Sequence, residues 1–112
     1  MDQYTLTEYN IGEDLDSLMN LDPRGYGVCR ILYPAAREYA GGPLSTNFAK
    51  KLLETVKEGD LVYIISGFVL PPFGVPETDG IISTVLLCRT LVLLGIKPVV
   101  VCPDGNLPAV KA

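Results

Sequence analysis

Glu77-Thr78-Asp79-Gly80 sets two carboxylates within four residues, directly ahead of a long apolar segment. The tetrapeptide closes a loop containing Gly67, Pro71, Pro72, Gly74 and Pro76, and that loop follows the apolar, β-branched run LVYIIS at residues 61–66. A short run of this kind reads as a buried parallel strand. The glycines and prolines read as irregular chain. The carboxylates therefore fall where a loop meets a helix start, and free backbone N–H groups at a helix start bind anions. Asp104 follows a second strand, residues 98–102, and belongs on the same edge of the sheet. Glu77, Asp79 and Asp104 together could hold Mg²⁺ or Mn²⁺, or divide into a general acid and a general base. The plainer reading makes Thr78 or Asp79 an N-cap, Glu77 a solvated side chain and Asp104-Gly105 a turn.

A second cluster is Asp22-Pro23-Arg24-Gly25-Tyr26-Gly27. Arg24 could clamp a carboxylate in bidentate fashion. Equally, Gly25 and Gly27 serve a turn between helices, with Arg24 paired to Asp22 or to a helix end. The segment is not a dinucleotide fingerprint or a phosphate loop, because it does not follow a strand. Gly67 and Phe68 lie where the chain leaves the first strand. Glycine there permits close approach of a ligand, and Phe68 and Phe73 either wall a pocket or pack back onto the core.

These residues need elements to position them. Residues 12–21 pattern as a short helix with acidic residues in its first turn, and residues 28–40 as a second, with Pro34 kinking it or marking its first turn. Gly41-Gly42 ends that helix. Residues 43–57 carry the cleanest apolar stripe in the chain and form a third. Residues 80–94 are apolar around almost the whole circumference, the pattern of a helix buried on more than one side. Strand, loop, helix and strand make one parallel βαβ crossover, and ligands bind such sheets beyond the carboxyl ends of the strands. Residues 4–11 offer only a weak edge-strand pattern, and residues 103–112 read as a turn and a short tail. The expected architecture is a Rossmann-like three-layer α/β fragment, with two or three helices ahead of the βαβ unit. It forms one domain over residues 1–112 that is incomplete alone, since a two-stranded parallel sheet leaves both edges open.

Composition narrows the function. The chain has 112 residues, 48% of them hydrophobic, and a net charge of −4. Its mean hydropathy of +0.30 is high for so small a domain, which predicts apolar surface covered by a second copy or by the rest of a longer chain. No basic run exists to neutralise phosphates, so nucleic acid is not an expected partner. Histidine is absent, which excludes serine-histidine and cysteine-histidine nucleophile systems within the chain. The three cysteines, Cys29, Cys88 and Cys102, are widely spaced in apolar contexts and read as reduced core residues of a cytoplasmic protein. The start MDQYTLTEYN does not pattern as a targeting segment, and the apolar run at residues 81–101 is interrupted by Arg89, Gly95, Lys97 and Pro98, unlike a membrane span.

In order, LDPRGYG, YPAARE, VYIISGF, PETDG and CRTLVLLGIKPVVVCPD resemble the D-glutamate cyclase family over residues 16–104. The likeness is to the N-terminal part of the cyclase domain, and family domains are more than twice this length. Two departures stand out: Ser66-Gly67-Phe68 where the family typically reads TGF, and Asp79-Gly80-Ile81 where it reads DGP. The resemblance implies a lyase acting on an amino acid, closing D-glutamate to 5-oxo-D-proline with loss of water, or a related reaction on a small carboxylate. It implies Glu77 and Asp79 as base, acid or metal ligands, and Arg24 with Gly25 at the substrate α-carboxylate. Ser66, Gly67, Phe68, Thr78 and Gly80 would then line the substrate site. No cofactor is certain from the resemblance, and a divalent metal such as Mn²⁺ or Mg²⁺ could take the place of the acid. Two other readings fit the same residues: a non-catalytic module holding an anionic metabolite, and an assembly fragment whose carboxylates are only caps.

Overall fold

A computed structural model describes residues 2–111. The chain is a mixed α/β protein that divides into two compact units, residues 1–55 and 56–112.

The first unit contains three helices: α1 (Gln3–Met19), α2 (Val28–Ala40) and α3 (Leu44–Thr55). The first of these is longer than its pattern suggests, and residues 4–11 are helical rather than an edge strand. Asp2 caps it, accepting the Thr5 N–H at 2.9 Å, so Glu13, Asp14 and Asp16 lie within the helix and not in its first turn. Asp16 is buried, and its carboxylate accepts the backbone N–H groups of Leu44 (2.6 Å) and Ser45 (2.9 Å), the Ser45 hydroxyl and the Tyr33 hydroxyl. A side chain from α1 thus caps α3, where the positive end of the helix dipole meets its charge. Glu13 pairs with Arg37 of α2, which also donates to Tyr9 and Tyr33. The second helix begins at Val28, so Pro34 sits in its interior and not in its first turn. Gly41, with φ +74°, ends it as expected.

The second unit is built on a parallel pair, β1 (Leu61–Ile65) with β4 (Lys97–Val101), in the register Leu61 to Lys97 through Ile65 to Val101. Helix α4 (Thr78–Leu93) makes the crossover and packs on β4. Its exit is specified by sequence. The Gly95 N–H bonds the Val92 carbonyl and the Ile96 N–H bonds the Leu91 carbonyl, with Gly95 at φ +73°. This is a Schellman termination, in which residues flanking the glycine make an apolar contact, and Leu91 and Ile96 are the buried apolar pair of the core.

Three features of this unit depart from what its sequence pattern predicts. The loop after β1 is not wholly irregular: β2 (Val69–Leu70) pairs antiparallel with β3 (Val75–Pro76), because a two-residue ladder tolerates the prolines at its edge. The tail folds into a 3₁₀ turn, Asp104–Asn106, and a short helix, α5 (Leu107–Lys111). Helix α4, apolar all round, is not buried all round: Thr84 and Leu91 are its buried residues, while Ile82, Leu86 and Leu93 are exposed.

Candidate functional site at the carboxyl edge of the parallel pair

Strand β1 is followed by Ser66, whose N–H still bonds the Val101 carbonyl of β4 at 3.0 Å. The backbone then turns through Gly67, at φ +103°, a conformation that a side chain would strain. Crowding adds a second requirement for glycine. A Cβ at residue 67 would sit 2.8 Å from Pro103 Cδ and 3.0 Å from Asn106 Cγ.

Across the crossover, the start of α4 is tied to this edge by hydrogen bonds. The Ser66 hydroxyl donates to the Gly80 carbonyl at 3.1 Å, and the Thr84 hydroxyl donates to the same carbonyl at 2.7 Å. The Glu77 N–H bonds the Phe68 carbonyl at 2.8 Å, joining the helix start to the β2–β3 hairpin. A Cβ at Gly80 would fall 3.3 Å from the Ser66 hydroxyl, so the helix approaches the strand end closely because residue 80 has no side chain.

Of the residues expected to act, Ser66, Gly67 and Gly80 are brought together by these contacts. Glu77 is the N-cap residue through its backbone, and its side chain caps nothing; neither Thr78 nor Asp79 fills that position. Glu77, Thr78 and Asp79 are solvent-exposed, and Asp79 accepts the N–H of Gly80 at 2.8 Å. Two carboxylates therefore stand at the positive end of a 16-residue helix, in reach of water and solutes. Phe68 is exposed, as is Phe73, so neither packs into a core.

Asp104 opens the 3₁₀ turn after β4 and is exposed. Among the described residues, no three Asp, Glu, Cys or His side chains lie close enough together to hold a metal ion, so Glu77, Asp79 and Asp104 are not gathered into a ligand set. Arg24 and Gly25 belong to the other unit. There the Gly25 N–H bonds the Asp22 carbonyl, and Asp22 accepts the Gly27 N–H at 2.6 Å, which makes the hexapeptide a self-contained turn. Arg24 is exposed and forms no ion pair with Asp22. Among the described residues, none of those expected to act lines the grooves between α1 and α3 or beside Arg37. The one between α1 and α3, about 260 Å³, is lined mainly by side chains such as Ile11, Leu15 and Leu53.

Sequence reasoning missed Asn106. It is fully buried, and neither atom of its side-chain amide has a hydrogen-bond partner among the described residues. Inside a Pro-Asp-Gly-Asn string it patterns as a turn residue, and no periodicity distinguishes it from one.

The parallel βαβ unit, with glycines and exposed carboxylates at its carboxyl edge, is that of an α/β protein. The chain belongs to the D-glutamate cyclase-like family: the family model described as "D-glutamate cyclase-like, C-terminal" matches residues 15–112, across both units. No curated protein and no solved structure matches it significantly. No helix among the described residues is long and apolar enough to cross a membrane.

Proposed function

We propose that the chain carries the ring-closing chemistry of a D-glutamate cyclase, converting D-glutamate to 5-oxo-D-proline and water. The observation that supports this most directly is the exposed pair Glu77 and Asp79 at the start of α4, hydrogen-bonded through the backbone to the glycine-lined end of β1, in a chain of the cyclase-like family. In the reaction the amine nitrogen bonds the side-chain carboxyl carbon and a C–O bond of that carboxyl breaks. The departing oxygen leaves as water, carrying two protons given up by the substrate ammonium. An ammonium does not attack, so a base must first take a proton, and an acid must deliver one to the leaving oxygen.

Glu77, whose side chain caps nothing, is suited to the base role. Asp79, already fixed by the Gly80 N–H, is suited to passing a proton to the leaving oxygen. The helix-start N–H groups of Thr78 and Asp79 have no acceptor within the helix and can stabilise the oxyanion of the tetrahedral intermediate. The three cysteines are unpaired thiols, which favours a reducing, cytoplasmic setting for this lyase.

Glu77→Gln and Asp79→Asn, made in an active full-length protein, should each lower turnover by about 10²-fold or more. Chiral chromatography of D-glutamate and 5-oxo-D-proline provides the assay, and unchanged turnover in both variants removes the acid-base assignment. Binding of D-glutamate without turnover in the unmodified protein would favour the metabolite-holding module instead.

A further inference from the structure

We propose that Asn106 reads the head group of an α-amino acid, its amide Nδ2 donating to the ligand carboxylate and its Oδ1 accepting from the adjacent ammonium. This rests on the reading of the βαβ edge as an amino-acid site. Asn106 is fully buried, and both polar atoms of its amide are unpaired among the described residues. A buried amide left in that condition costs stability unless a partner with matching polarity arrives. The amide lies against Gly67, since a Cβ there would be 3.1 Å from its Nδ2, and Gly67 in turn neighbours Gly80 at the start of α4. The orphaned amide and the anion-attracting helix start therefore flank the same glycine.

The chemistry of the orphan narrows the ligand. A lone anion would satisfy Nδ2 and leave Oδ1 bare, and a lone cation would do the reverse. An α-amino acid offers a carboxylate oxygen and an ammonium hydrogen on adjacent carbons, a donor-acceptor pair spaced much like the amide's own. Gly67 serves this directly, because any side chain there would press on Asn106 and on Pro103.

The test uses the full-length protein and D-glutamate as the probe, with glutarate, which has both carboxylates but no ammonium, as comparison. D-Glutamate should shift the Asn106 side-chain ¹H–¹⁵N resonances saturably, and calorimetry should show it binding about tenfold or more tightly than glutarate. Asn106→Asp, which replaces the donor with an anionic oxygen, should weaken D-glutamate binding by about tenfold or more. The proposal is overturned if D-glutamate does not bind, if saturating D-glutamate leaves the Asn106 resonances unmoved, or if glutarate binds equally well. These outcomes need no variant and hold even if Asn106→Asp fails to fold. Binding through Asn106 without ring closure would defeat the cyclase proposal and keep this one. Ring closure with Asn106 resonances unmoved would do the opposite.

Discussion

Asp16 shows how one side chain can hold a unit together. Burial alone would raise its carboxyl, but hydrogen bonds from the Ser45 hydroxyl and backbone, from Tyr33 and from the Leu44 N–H outweigh burial and hold it down to about 2. Because the folded-state value lies below the unfolded one, the carboxylate adds stability that is fully present above about pH 4 and is lost as pH falls through about 2. A difference of this size corresponds to about 2 kcal/mol. Asp16→Asn should therefore cost about 2 kcal/mol at neutral pH, with the gap to the unmodified protein closing between pH 4 and 2. Urea titrations across that range provide the check, and a gap independent of pH would show that the charge is not what stabilises. None of this was legible beforehand, because Asp16 finds its partners 17 to 29 residues away and reads locally as one more acidic residue of a helix. Asn106 was hidden because it reads locally as a turn residue, while Gly67, against which its amide packs, lies far off in sequence. The position of Glu77 and Asp79 at a helix start was legible, since a helix start is announced by its own neighbours.

Among the elements, the α1–α3 contact sets two opposing effects against each other at Gly12. This buried glycine in mid-helix lowers helix propensity, and alanine there would ordinarily stabilise by about 1 kcal/mol. A Cβ at that position, however, would overlap the Thr46 hydroxyl, and rotating Thr46 away would still leave its Cβ 3.1 Å and the Pro43 Cβ 3.0 Å distant. Proline cannot rotate aside, so the helices must separate, at a cost of about 1–3 kcal/mol. Packing should win, and Gly12→Ala should lower the thermal midpoint. A rise would mean that α1 and α3 do not approach this closely. The same contact explains why residues 4–11 were misread. Tyr4 and Leu6, then Tyr9 and Ile11, alternate with polar residues in a strand-like rhythm, while the helix depends on the Asp2 cap and on a partner helix reached through Gly12. Helix α2 was legible to its ends because Gly27 and Gly41 bracket it in sequence.

For the whole molecule, the high apolar content has a visible location. Along β1 the half-buried residues are Val62 and Ile64, while Leu61, Tyr63 and Ile65 stand 57%, 65% and 85% exposed. Parallel sheets are covered on both faces, and one face of this strand is bare. Exposed apolar side chains on α4, including Ile82, Leu86 and Leu93, add to the surface of the same unit. Helix α4 was expected to be buried on several sides because it is apolar around its circumference, yet only its Thr84 and Leu91 face is covered among the described residues. A net charge of −4 is too small to keep such surfaces apart at ordinary ionic strength. The chain is therefore expected to self-associate, with sedimentation coefficients rising with concentration. Tyr63→Lys sets a charge at the centre of the bare β1 face, where the side chain is already solvated in the monomer. It should suppress association while leaving the monomer's stability nearly unchanged. A chain that sediments as a monomer at every concentration, with Tyr63→Lys indistinguishable from it, would show that this face needs no second copy.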